Sequence, residues 1–89
     1  MGKLVQVSHE TYVFLALSAD KLNLHLRFGE TYLKRDILAA EDMKPITDFV
    51  LYRKEDIWEL AVLTESTLRF FIVGPAFDRA ERFADTQLP

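Results

Sequence analysis

Residues 49–73 decide the fold of this chain, and they read FVLYRKEDIWELAVLTESTLRFFIV. Phe49–Tyr52, Ile57–Leu63 and Leu68–Val73 are near-continuous apolar runs, which predicts three buried strands. Short polar segments separate the runs. The second segment centres on Glu65-Ser66 and is as short as the loops of tight hairpins. Because a half-solvated strand alternates apolar and polar residues, we expect these strands to be covered on both faces.

The expected register follows from the length of the two turns. A first turn at Lys54-Glu55 pairs Leu51 with Trp58, and a second two-residue turn pairs Leu60 with Phe71. One face of this meander then carries Phe49, Leu51, Trp58, Leu60, Val62, Phe71 and Val73, and the other carries Val50, Tyr52, Ile57, Ala61, Leu63, Leu68, Phe70 and Ile72. Both faces are therefore apolar, apart from one charge on each.

The N-terminal half adds further strands. Tyr12–Leu17 is another apolar run, and Leu22–Phe28 alternates strictly, which predicts a strand with its apolar residues inward. Leu4–Ser8 and Thr31–Leu33 are short strand candidates. Residues 36–42 favour one or two helical turns, because apolar residues recur there at helical spacing before a proline.

The C-terminal segment has the pattern of an amphipathic helix. Gly74-Pro75 ends the meander and places proline in a first helical turn, and Phe77, Ala80 and Ala84 form an apolar stripe. We predict a helix over about Pro75–Thr86. The predicted fold is α+β: five to seven mostly antiparallel strands, as a sheet or small rolled barrel, with this helix packed against them. Strands followed by one C-terminal helix resemble pleckstrin-homology-like rolls in layout alone.

Composition restricts the class of protein. The 89 residues are expected to form a single domain, and with no cysteine the chain has neither disulfides nor thiolate metal sites. The formal net charge is −3 and the eleven basic residues are scattered, so we expect no nucleic-acid partner. No signal-peptide pattern and no apolar run of membrane-spanning length is visible, which predicts a cytoplasmic protein without a membrane partner.

The chain has few residues suited to catalysis. His9 and His25 are the only imidazoles, and neither stands at a metal-ligand spacing from another donor. The three glycines are isolated, so no phosphate-binding loop is present. The sequence therefore predicts no catalytic residue, no cofactor and no metal site, and hence no enzyme.

Interaction with another protein is the remaining hypothesis. Small, cysteine-free chains without motifs are common among inhibitors, immunity proteins and accessory subunits of bacteria and phages. The candidate partner-binding residues are the aromatics and isolated charges of the meander: Tyr52, Trp58, Glu59, Arg69 and Phe71. Because the meander is apolar on both faces, we also expect self-association, as a dimer. Two alternatives stay open: a small-ligand-binding β-barrel, and a small enzyme with a site at a dimer interface.

Overall fold

The computed structural model describes residues 2–18, 21–28, 30–36 and 46–88, and for residues 18, 21–24 and 28 it describes the backbone alone. Eight strands account for most of these residues. They are β1 (Gly2–Gln6), β2 (Thr11–Ser18), β3 (Lys21–Phe28), β4 (Thr31–Asp36), β5 (Ile46–Lys54), β6 (Ile57–Thr64), β7 (Thr67–Val73) and β8 (Ala80–Gln87).

The strands form two separate antiparallel sheets, each a simple meander in chain order. The first sheet has the order β1-β2-β3-β4 and the second has the order β5-β6-β7-β8. The expected pairing of Leu60 with Phe71 is confirmed. In the first predicted hairpin the register differs by two residues, because the turn lies at Glu55-Asp56 and pairs Leu51 with Leu60. A shift of two leaves each side chain on its predicted face.

One hydrophobic core lies between the two sheets. The first sheet contributes Val13, Leu15 and Leu26, and the second contributes the residues of its inner face. Those inner-face residues are Phe49, Leu51, Leu60, Val62, Phe71 and Val73, joined by Phe77 from the loop after β7. Each sheet therefore buries one face, and alternation along the strands turns the other face outward.

Polar contacts join the sheets at two places. Lys3 Nζ lies 2.9 Å from Asp48 Oδ1, and it donates a hydrogen bond to the Phe49 carbonyl. The Lys3 ammonium and the Phe49 N–H, 2.8 Å from the same carboxylate, hold the pKa of Asp48 below its usual range. Arg35 Nη1 donates to the Ala76 carbonyl at 2.9 Å. These contacts fix how the first sheet sits on the second.

The predicted C-terminal helix is wrong, and with it the α+β class and the pleckstrin-homology-like layout. Residues Ala80–Gln87 form strand β8, which pairs with β7 along its length. The described residues contain no helix. A helix here would leave the N–H and C=O groups of the β7 edge without partners, whereas β8 satisfies them. Helix propensity is a weak preference beside this requirement.

Gly74-Pro75, which the sequence pattern places at the start of a helix, forms a turn instead. Phe77 N donates to the Gly74 carbonyl at 2.9 Å, which closes a four-residue turn with proline at its second position. Phe77 has φ 54°, in the left-handed region that a right-handed helix excludes. Gly74 N then donates to the Arg79 carbonyl at 2.9 Å and starts the β7–β8 ladder.

Two further predictions concern residues 31–42. The strand predicted over Thr31–Leu33 exists and is longer, ending at Asp36. The short helix predicted over residues 36–42 begins at a residue that is in β4, and the rest of it lies outside the described residues. The described residues form eight strands, against the five to seven predicted, and their two sheets stack as layers instead of rolling into one barrel.

Candidate functional site

The outer face of the first sheet carries a group of exposed rings, which we call the aromatic face. It consists of Leu4, Tyr12, Phe14, His25, Arg27 and Tyr32. Leu4 is 67% exposed and Tyr32 is 60% exposed, so large apolar side chains meet solvent here. The six residues line a shallow groove of about 580 Å³. Lys34 lies on the same face, opposite His25 in the β3–β4 register.

Contacts within the aromatic face hold its rings in place. His25 Nδ1 and the Tyr32 hydroxyl are hydrogen-bonded, and the two ring centroids lie 5.8 Å apart. The Phe14 ring lies 6.0 Å from the His25 ring. Phe14 also covers Gly2 so closely that a Cβ at position 2 would collide with the ring. The face is thus a connected layer of side chains.

The outer face of the second sheet is mainly aliphatic, and we call it the aliphatic face. Its apolar residues are Val50, Ile57, Leu63, Leu68, Phe70, Ile72 and Phe83, and Tyr52, Lys54, Glu59 and Glu81 lie on the same face. Phe83 stands at the irregularity in β8 and is 49% exposed, and its ring lies 6.2 Å from the Phe70 ring. Val50 and Ile72 are also exposed. The charges in its central rows are Glu59 and Glu81, which flank Ile72 in the register.

A tyrosine–glutamate pair accommodates the charge within the aliphatic face. The Tyr52 hydroxyl donates to Glu59 Oε1 at 2.6 Å, across the β5–β6 ladder. This hydrogen bond, together with burial, raises the pKa of Tyr52 to about 12, because losing the phenolic proton would place two negative oxygens side by side.

A cleft of about 830 Å³ opens between the sheets near the Arg35–Ala76 contact. Its apolar side chains include Leu26, Leu33, Trp58 and Phe77, with the rings of Trp58 and Phe77 at 6.1 Å. Arg35, Asp56, Arg79 and Glu81 add charges of both signs to its lining. Its volume falls in the range found for small-molecule pockets.

No protein-family model, curated protein or solved structure matches this chain.

The structure distributes the predicted partner-binding residues over three environments. Tyr52 and Glu59 come together on the aliphatic face. Trp58 is half-buried and lines the cleft. Arg69 is half-buried, with its Nε 3.7 Å from Asp85 Oδ2, and Phe71 is 1% exposed within the core.

The aromatic face was missed by the sequence analysis, which took Tyr12–Leu17 as a strand covered on both faces. Val13 and Leu15 are fully buried, whereas Tyr12 and Phe14, which alternate with them along β2, are each more than a third exposed. The available signal was the alternation of aliphatic and aromatic residues, since apolarity alone does not distinguish the two faces.

The described residues hold neither a cluster of metal ligands nor a helix of membrane-spanning length. These residues contain no group of three or more His, Asp or Glu placed to hold a metal ion. The same residues include no helix that could cross a membrane. His25 belongs to the aromatic face, and His9 lies in the exposed turn after β1.

Proposed function

We propose that the protein is a non-catalytic interaction module that works in the cytoplasm by binding a partner protein and itself. The observation that carries this proposal is the pair of apolar outer faces. The inner faces already form a core, so the outer aromatic and aliphatic side chains add nothing to it and remain free for contact. Contiguous exposed apolar patches on small proteins commonly mark interaction sites.

The inhibitor, immunity or accessory-subunit type fits this arrangement, because such proteins act by covering a surface of their target. Aromatic residues supply much of the binding energy when an interface buries them. Tyr12, Phe14 and Tyr32 are therefore the expected anchors on one face, and Phe70 with Phe83 on the other. Neither cofactor nor metal is part of this proposal.

The test compares the native protein with two single variants in affinity capture and sedimentation. Phe14→Asp places a carboxylate in the aromatic face, and Val50→Lys places an ammonium in the aliphatic face. Both positions are at least 40% exposed, so we expect both variants to stay folded, with Phe14→Asp the less stable because it loses the ring contact with His25. For at least one variant, the affinity for a captured partner or for a second copy should fall at least tenfold. The proposal fails if the native protein binds neither itself nor a partner, or if both variants bind as the native protein does.

The inter-sheet cleft supports a second candidate function, the binding of a small apolar ligand. Trp58 lines the cleft and reports on its occupation by fluorescence. A saturable change in Trp58 emission is expected on titration with 1-anilinonaphthalene-8-sulfonate, and Leu33→Glu should abolish it because Leu33 lines the same cleft. If the quenching is non-specific and does not saturate in either the native protein or Leu33→Glu, this candidate function fails.

A further inference from the structure

The central rows of the two outer faces carry charges of opposite sign. Arg27 and Lys34 lie in the two central rows of the aromatic face, and Asp36 lies at the end of β4. The aliphatic face has Glu59 and Glu81 in one row, on either side of Ile72, and Lys54 lies at the end of β5. The apolar surfaces of this protein are thus of two complementary kinds.

This distribution discriminates between the ways in which two copies can stack. Contact between two aromatic faces would bring Arg27 and Lys34 toward their own counterparts, and contact between two aliphatic faces would do the same for Glu59 and Glu81. Juxtaposed like charges oppose association, whereas complementary charges steer and orient it. When an aromatic face packs on an aliphatic face, apolar side chains lie on both sides of the contact and opposite charges face each other across it.

The size of the faces sets the expected strength of the contact. Four strands about 4.8 Å apart, each contributing about six residues, give a footprint of roughly 400 Å² in projection. Stable interfaces bury about 800 Å² of accessible surface from each partner, and the projected area of one face is only about half of that. We therefore expect weak association that depends on protein concentration.

We infer that the protein associates with itself head to tail, the aromatic face of one copy packing on the aliphatic face of the next. This inference rests on the proposed function and names the second copy as a partner. Such a contact does not close, because the complex still presents a free aromatic face at one end and a free aliphatic face at the other. The product is a linear stack whose length grows with concentration.

The deciding experiment mixes two variants that are each blocked on one face. Phe14→Asp places a negative charge against Glu59 and Glu81 of a neighbouring copy. Val50→Lys places a positive charge against Arg27 and Lys34 of a neighbouring copy. Neither variant should stack alone. In an equimolar mixture the intact aliphatic face of the first meets the intact aromatic face of the second, so native mass spectrometry should show complexes with both variants in equal number. Glu65→Lys, in the exposed turn between β6 and β7, is the control and should stack as the native protein does.

Other outcomes overturn the inference. If one variant still forms dimers alone and mixing adds nothing, the contact joins two faces of the same kind. Association unaffected by either substitution would indicate pairing through the strand edges. A native protein that is monomeric at all concentrations also contradicts it. Capture of a partner other than a second copy tests the proposed function separately. The proposed function stands after any of these results if either variant loses such a partner, and it fails if no partner is bound.

Discussion

At the scale of single residues, the polar groups within the apolar sheet faces are paired. Glu59 would be a costly charge on the aliphatic face, but the Tyr52 hydroxyl donates to it at 2.6 Å. Arg69 points to the inner face and has Asp85 at 3.7 Å on the neighbouring strand. The sequence identified both charges as interruptions of apolar faces, and the cross-strand register explains how each is tolerated.

The Tyr52–Glu59 hydrogen bond predicts an alkaline titration that depends on Glu59. Glu59→Gln removes the negative charge that disfavours the phenolate, so the pKa of Tyr52 should fall from about 12 toward its usual value of about 10. Ultraviolet absorbance of the phenolate measures this pKa, and Tyr52→Phe identifies which part of the signal is Tyr52. An unchanged midpoint in Glu59→Gln would show that the carboxylate of Glu59 is not the cause of the raised pKa of Tyr52.

The same pair predicts how stability depends on pH. The folded protein holds the Tyr52 proton more tightly than the unfolded chain does, because the folded-state pKa is the higher one. The stabilisation is therefore complete below pH of about 10 and is lost as the pH rises toward about 12. Urea unfolding across this range should show Tyr52→Phe losing less stability than the native protein.

At the scale of elements, the turns explain both the correct and the incorrect predictions. The register of β6 and β7 was predictable because apolar runs end on either side of a short polar pair. The β5–β6 turn lies one residue later than predicted, since four polar residues in a row, 53–56, offer more than one turn position. The C-terminal strand was not predictable from its own composition, because what decides it is the open edge of β7.

The β5–β6 turn itself predicts a stabilising substitution. Glu55 has φ 57°, a left-handed conformation that costs a residue with a Cβ about 1 kcal/mol. Glu55→Gly should therefore raise the free energy of unfolding by up to about 1 kcal/mol, as glycine suits the first position of a two-residue hairpin loop. Chemical denaturation measures it. Asp56→Gly is the matched control, and an equal gain there would contradict the assignment.

The β7–β8 pairing predicts energetic coupling between Arg69 and Asp85. Opposite charges across two strands contribute roughly 0.2–1 kcal/mol. A double-mutant cycle of Arg69→Met and Asp85→Asn should show coupling of that size in urea unfolding. Because a C-terminal helix over the same residues would remove this cross-strand pair, additive effects of the two substitutions would argue against strand β8.

At the scale of the whole molecule, the arrangement of two sheets changes the meaning of apolar strands. The sequence established that strands such as β6 and β7 are apolar on both faces, and from this it predicted a surface left over for contact. It could not show that the chain divides into two sheets, because the packing of β1–β4 on β5–β8 depends on long-range contacts such as Arg35 to Ala76. For the same reason Phe71 was taken as a binding residue, although it lies in the core.

The most direct measurement is the weight-average mass of the unmodified protein by sedimentation equilibrium, from about one to about a hundred micromolar and at low and high salt. Contact through the outer faces predicts a mass that rises above the 10.3 kDa of one chain as concentration increases. Added salt should reduce this rise, because opposite charges orient the contact. A single species of 10.3 kDa under all conditions, from a protein that also captures no partner, would contradict the role of these faces.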